Sequence, residues 1–352
     1  MKVKVAIIAG GVGTRLWPVS RLHAPKQVSA LFGDQSVLQR TYKILRKKFT
    51  VADILIVTGE TFASTVIKQL KLPPRQVIVE SCRRDTAAAI GLAAWQVASE
   101  DPETILITVH ADHAIARPAE YVRTLLAAAR MAAVQPETLI TIGANPTYPE
   151  TGYGYIRLGA ENSRKGRDIF YHVSKFTEKP KLTTARKYIA DRRYLWNTGI
   201  FVFQVGQLQR WYQQYLPSHY RIFETIFTTF VGQSARLTQA FPKLPAVSID
   251  YGLLEKMSNL IVLPASFGWQ DIGSWSVVAG LAKQSSSAKR LAIEAHNNFI
   301  ISNPGKLVAL VGLDNYLIID TEDALLICPK DKSQMVKDIV KKIEQKKWLK
   351  YL

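Results

Sequence analysis

The feature that most constrains this chain is the alternation, through its first half, of short β-branched runs with stretches long enough for helices. Residues 3–9, 54–58, 77–80, 104–109 and 139–143 read as buried strands, and 36–48, 61–70, 86–99 and 119–134 read as the helices between them. Strands that are apolar throughout need cover on both faces, and helical crossovers supply it. The pattern therefore predicts right-handed βαβ units building a doubly wound, mostly parallel α/β sheet.

The middle of the chain breaks that rhythm. Residues 148–155 are turn-rich and aromatic, and 169–176 and 200–203 read as strands with no regular helix between them. This region is expected to be an insertion that caps the carboxyl edge of the sheet, followed by a helical stretch over 205–230. A polar break at 284–287 divides an expected larger α/β domain, 1–284, from an expected β-rich C-terminal domain with a terminal helix, 288–352. Within 296–328, strands alternate with turns at 303–305 and 313–315, and no repeat is long enough to name. From Lys332 a helix is expected, with Met335, Val336, Ile339, Val340 and Ile343 on one face.

Composition removes several classes. With 352 residues, 47% hydrophobic and 21% charged, the chain can bury a core and is neither disordered nor collagen-like. No apolar run reaches the roughly 18 residues needed to span a bilayer, so no membrane insertion is expected. The opening residues read as a buried strand running into a glycine turn rather than as a signal peptide. Cys82 and Cys328 stand in no metal-ligand spacing and suit a reducing cytoplasm, each as a small buried side chain. A net charge of +18, with eight lysines from Lys330 onward, favours phosphate-bearing partners without choosing among nucleic acid, anionic lipid and small phosphorylated substrates.

Gly10-Gly11-Val12-Gly13-Thr14-Arg15 directly follows the first strand. Three glycines let the backbone adopt positive φ and turn successive N–H groups toward phosphate oxygens. The spacing is neither the dinucleotide fingerprint nor a P-loop, because Leu16 stands where a third fingerprint glycine would and no Gly-Lys-Ser/Thr follows. Arg15, Arg21 and Lys26 follow closely, and Pro18 and Pro25 discourage a helix there, leaving an extended segment able to wrap an anion with cations.

Residues 9–27 resemble the signature of the sugar-phosphate nucleotidyltransferases, and the Trp-Pro-x-Ser-Arg variant most resembles the branch that guanylylates mannose 1-phosphate. The likeness continues in chain order through Arg84-Asp85-Thr86-Ala87, Ala111-Asp112-His113, Glu150 to Tyr155, Phe176 to Pro180, Trp196 to Gly199, Ser248 to Tyr251 and Asp271 to Trp275. It implies a Rossmann-like catalytic domain, a small β-helical C-terminal domain that supports a homodimer, and GTP and mannose 1-phosphate as substrates. It also implies Mg²⁺ held by Asp112 and Asp271, although either aspartate alone reads as a turn or cap residue before it reads as a metal ligand.

By the same resemblance, Gly10, Gly11, Gly13, Thr14, Arg15, Lys26, Arg84, Asp85 and Thr86 bind the nucleotide. Tyr153, Gly154, Glu178, Lys179 and Asn197 bind the sugar phosphate. Arg15, Lys26, Asp112 and Asp271 are the expected catalytic set. Asp85 suits guanine, whose N1–H and N2–H one carboxylate can accept, and suits helix capping as well. Ser81, Ala88 and His110 stand where the family usually has proline, and His110 reads as a packing substitution.

Glucose or heptose 1-phosphate is the alternative substrate within this class. Outside it stands a basic protein that binds nucleic acid or a membrane surface. Against nucleic acid, no platform of interleaved basic and aromatic residues is present. The basic tail ending near Trp348 has a simpler role as a packing helix. A single activity is expected, because residue 352 comes too soon for the isomerase domain that longer relatives append.

Overall fold

The structure is a computed structural model that describes every residue except 12, 23–24, 30, 32–34, 229–232, 282–288 and 304. The polar break at 284–287, Pro304 of one expected turn and the last two residues of the 205–230 stretch lie outside the described residues. The chain divides into two compact units: one comprises 1–10, 43–110 and 115–269, the other 11–42, 111–114 and 270–352.

The first unit is built on a nine-stranded sheet. Its strands are β1 (Val3–Ile8), β2 (Ile54–Gly59), β3 (Val77–Glu80), β4 (Ile105–His110), β6 (Leu139–Ala144), β7 (Tyr155–Lys165), β8 (Asp168–Thr177), β9 (Tyr194–Gln204) and β10 (Leu260–Ala265). They lie in the order β3-β2-β1-β4-β9-β6-β10-β8-β7. The first four pair in parallel, as does β6 with β10; only β8 and β9 run against the rest. The sheet is mostly parallel, as expected.

The helices of this unit include α2 (Glu60–Leu70), α3 (Asp85–Ala98), α4 (Pro118–Val134) and α5 (Leu182–Ala190). They continue with α6 (Val205–Tyr215), α7 (Pro217–Phe227), α8 (Gln233–Ala240) and the single turn α9 (Ile249–Gly252). Alanine-rich α3 is buried along most of its length because small side chains let α6 and α7 approach closely. A Cβ on Gly91 would lie 2.4 Å from the Phe223 ring, and Trp95 stacks on Phe223 with centroids 4.8 Å apart. The helical stretch expected over 205–230 comprises two helices, because Pro217 opens α7 and holds Leu216 outside helical geometry.

The expectation of an edge-capping insertion is corrected. β9 enters the sheet itself, antiparallel between β4 and β6. Its apolar run needs ladder partners on both sides for its backbone groups, and only a central position provides them. β7 pairs with β9 as well as β8, so the end of the sheet curls round a small core of Ile156, Leu195 and Val262.

The second unit holds most of α1 (Val37–Leu45), α10 (Trp275–Leu281), β12 (Lys289–Ile293), β13 (Phe299–Ile301), β14 (Leu307–Val311), β15 (Tyr316–Asp320), β16 (Leu325–Pro329) and α11 (Val336–Gln345). Two short strands, β5 (His113–Ile115) and β11 (Trp269–Asp271), pair with one another. Beyond Lys289 the strands form one coil stacked on the next: β12 lies parallel on β14 and β13 parallel on β15. The offset is 18 residues throughout, and Asn297 Nδ2 donates to Asn315 Oδ1 at that spacing, 2.6 Å apart. The left-handed turns repeat with it, at Glu294 and Gly312 and again at Asn297 and Asn315. This β-rich coil matches the expected fold class, and its repeat escaped the sequence reading.

The core of the second unit joins Leu16 and Trp17 to Trp275, Leu317 and Val340. Trp17 Nε1 donates to Tyr351 O at 2.7 Å, and Trp275 Nε1 donates to Trp17 O at 2.8 Å. The terminal helix starts later than expected, after a 3₁₀ segment (Lys330–Met335). Val336, Val340 and Ile343 are buried, whereas Met335 and Ile339 face solvent. Cys82 and Cys328 are both free thiols. Among the described residues no helix is long and apolar enough to cross a membrane.

Candidate active site

Ligands in open α/β sheets bind beyond the carboxyl ends of the strands. Here those ends deliver Gly10 after β1, Glu80 at the end of β3 and His110 at the end of β4. After Gly10 the loop turns on Gly11 at φ +96° and Gly13 at φ +68°, conformations that favour glycine. Thr14–Leu16 then form one 3₁₀ turn, leaving Arg15 exposed.

Within the second unit the loop meets the two expected metal-binding aspartates. Lys26 Nζ lies 2.5 Å from Asp112 Oδ2 and donates to Ile272 O at 3.1 Å. The Ile272 N–H donates to Asp112 O at 3.0 Å, which draws Asp271 to the same place. Ligand atoms of Asp112, His113 and Asp271 all lie within 4.8 Å of one another. Burial opposes the Lys26 charge, but Asp112 and Asp271 outweigh it and raise its pKa above the ordinary lysine value, with Arg15 acting slightly the other way. Two hard carboxylates fit Mg²⁺, which takes one or two such ligands and completes its shell with water and phosphate oxygens.

Arg21 does not join this cluster. Its guanidinium grips Asp323 with contacts of 2.7 and 3.3 Å and lies over the Trp17 ring, so the expected row of three cations is reduced to Arg15 and Lys26.

The expected sugar residues converge in the first unit. Glu178 Oε1 pairs with Lys179 Nζ at 3.0 Å, and a Cβ on Gly154 would lie 2.4 Å from Glu178 Oε2. Asn197 accepts from Thr141 Oγ1 at 3.0 Å, while its Nδ2 donates to Asp250 Oδ1 at 2.9 Å, so its amide is fixed in one orientation. Tyr153 stands edge-on to Trp196 and Trp269 with centroids 5.4 and 5.1 Å away.

Two acids went unassigned in the sequence. Asp250 is pushed up to about 7 by burial and by Glu178. Glu80 is buried and also pushed up to about 7, mainly by burial. A Cβ on Gly10 would lie 3.7 Å from Glu80 Oε2. A lone acid closing an apolar strand was the available signal for Glu80. For Asp250 it was an acid inside the family-like segment Ser248 to Tyr251, where no role had been assigned.

The Arg84-Asp85-Thr86 turn is occupied with its own structure. Asp85 has φ +64° and its Oδ1 accepts from the Thr86 N–H at 2.7 Å. Thr86 Oγ1 accepts from the Ile249 N–H at 2.9 Å, and Arg84 Nη2 donates to Pro242 O. The His110 ring lies against Gly199, where a Cβ would come within 2.9 Å of its Nε2.

Residues 4–286 match the family described as nucleotidyl transferase, and 289–343 match the MannoseP isomerase/GMP-like beta-helix domain. The chain is 33% identical over 351 residues to the xanthan biosynthesis protein XanB of Xanthomonas campestris pv. campestris (strain B100), covering 96% of this chain and 72% of that one. It is 34% identical over 354 residues to a mannose-1-phosphate guanylyltransferase of Salmonella muenchen, covering 96% and 73%. A crystal structure from Thermus thermophilus, described as a mannose-1-phosphate geranyltransferase, superposes with a TM-score of 0.87 at 29% identity, covering 98% of this chain and all of that one.

Proposed function

The chain belongs to the nucleotidyl transferase family, with a GMP-like β-helix domain behind the transferase region, and on that premise we propose that it transfers GMP from GTP to α-D-mannose 1-phosphate, yielding GDP-mannose and pyrophosphate. The sugar and the base are supported by the names of its relatives, the Salmonella protein among them. The observation that carries the chemistry is the convergence of Lys26, Asp112 and Asp271 behind a loop turning on two left-handed glycines.

In this reading an oxygen of the sugar phosphate bonds to the α-phosphorus of GTP as the bond to the pyrophosphate oxygen breaks. A phosphate monoester has a second pKa of about 6 and is largely dianionic at neutral pH, so no general base is needed. Catalysis is alignment and charge stabilisation. The amides of Gly10, Gly11, Gly13 and Thr14, with Arg15, are assigned to the β- and γ-phosphates. Lys26 is assigned to the α-phosphate and the attacking oxygen. Asp112 and Asp271 are the residues to hold Mg²⁺, which when bound supplies neutralisation of phosphate charge.

Glu80 is assigned to the N1–H and N2–H of guanine in preference to Asp85, whose carboxylate already accepts from Thr86. Arg84, Asp85 and Thr86 shape the wall of the nucleotide site. Tyr153, Gly154, Glu178, Lys179 and Asn197 are assigned to the sugar and its phosphate. The reading includes a cytoplasmic homodimer, for which exposed Leu291, Ile293, Leu307 and Val311 on β12 and β14 offer apolar surface. A monomer mass by light scattering at micromolar protein would remove the dimer.

A matrix of nucleoside triphosphates against sugar 1-phosphates, followed by pyrophosphate release, tests the whole. GTP with mannose 1-phosphate should be the fastest pair. No release from any pair overturns the proposal, and faster release with glucose or heptose 1-phosphate overturns its sugar half.

A further inference from the structure

Lys26 is paired with one of the two acids assigned to the divalent ion. Its ammonium is 2.5 Å from Asp112 Oδ2, and the two side chains are only 12% and 17% exposed. Asp271 adds to the attraction, since it is among the charges that raise the Lys26 pKa against the cost of burial. The ammonium also donates to Ile272 O, the backbone carbonyl one residue beyond Asp271. The loop makes room for this pose at Gly13, where a Cβ would come within 2.8–2.9 Å of the Lys26 stem. Two neighbouring, half-buried carboxylates are stabilised by a positive charge, and here the chain supplies it from its own glycine loop.

We infer that Lys26 is the resident counter-cation of the Asp112–Asp271 pair, so that a divalent ion and the lysine compete for the same carboxylate oxygens. A lysine ammonium is a point charge on a flexible stem and can leave one anion for another. Phosphate arriving at the loop draws Lys26 off Asp112 and opens the acids to metal. Metal and phosphate therefore favour each other's binding, as linkage requires when both act on one two-state element. The inference deepens the nucleotidyl-transfer reading and rests on it for the identity of the phosphate.

The test is Mn²⁺ titration calorimetry on the full chain without nucleotide, comparing wild type with Lys26→Met and Lys26→Gln. Both variants should bind Mn²⁺ about tenfold tighter or more, within the usual span of coupling between sites. The double variant Lys26→Met/Asp112→Asn should lose that gain. Equal or weaker binding by both single variants overturns the inference.

A second measurement needs no variant. Amine labelling of wild type, read by mass spectrometry, should modify Lys26 slowly without metal and several-fold faster when Mn²⁺ is saturating. A rate that stays level or falls overturns it too. Neither readout involves turnover, so either can fail while the transfer reading stands, and the substrate matrix can fail without touching them.

Discussion

Two pairs of carboxylates in this protein solve the same electrostatic problem differently. In the second unit Asp112 and Asp271 share a nearly buried lysine, and Lys26 holds its proton more tightly for being there. In the first unit Glu178 and Asp250 lie together with Lys179, but the Lys179 side chain is 55% exposed and much of its field is spent in water. The outcome there is a carboxyl that resists ionisation, with Asp250 up near 7. An acid pair with an internal cation is ready to exchange it for another cation. A pair without one is ready for groups that donate hydrogen bonds, which is what sugar hydroxyls do.

The largest expected break in this comparison is at Lys26. Replacing it with methionine should lower turnover by about 10²–10³-fold, the usual cost of one transition-state donor, with a smaller change in GTP affinity. Unchanged steady-state turnover would take the lysine out of the chemistry. Lys179→Met should act on the KM for the sugar phosphate and leave that for GTP alone.

Next comes Gly154→Ala. The new methyl would press on Glu178 Oε2, and overpacking of about 1–3 kcal/mol corresponds to a rise of about 5- to 150-fold in the KM for the sugar phosphate. A KM within twofold of wild type would show that Glu178 can move aside freely.

A third effect separates the pairs by pH. Asp250 and Glu80 have folded values of about 7, above the ordinary carboxyl range of about 4. Their protonated forms stabilise the fold fully below the ordinary range, and that stability is lost as pH climbs through about 7. Denaturation midpoints should therefore fall between pH 6 and pH 8, and Asp250→Asn should flatten the fall. Lys26 is silent in this window, because its raised pKa lies far above it. GTP affinity should weaken below about pH 7, as Glu80 takes up a proton and stops accepting from guanine; titration calorimetry at pH 6 and 8 reads it.

The smallest effect is at Thr141→Val, which removes one buried donor to Asn197. It should cost about 1 kcal/mol in a urea melt and shift the sugar-phosphate KM less than Gly154→Ala does.

Much of this was legible in the chain. The glycine run, the β-branched segments of β1 to β4 and the acids after them are local patterns, and each lies where periodicity and turn chemistry put it. The ordered motifs pointed to the family. What escaped was non-local. β9 was expected outside the sheet because a strand's neighbours are not written in its own residues. The 18-residue repeat of the expected C-terminal coil was missed because only a few positions, Asn297 with Asn315 among them, repeat closely enough to be seen before the strands are stacked. Glu80 and Asp250 drew no role because their burial, which gives them their character, is a property of the folded surroundings.

The amino-acid order alone determined which segments are strands, where the backbone needs glycine, and which side chains are able to hold phosphate or metal. The tertiary structure decided which of those side chains meet. Arg21 and Lys26 are five residues apart in one basic segment, yet Arg21 is committed to Asp323 and Lys26 to Asp112. It also gathered 11–42 and 111–114 into one compact unit with 270–352. The reason is physical: propensity acts over a few neighbouring residues, whereas a buried charge is held by whichever opposite charge the fold brings within a few ångströms.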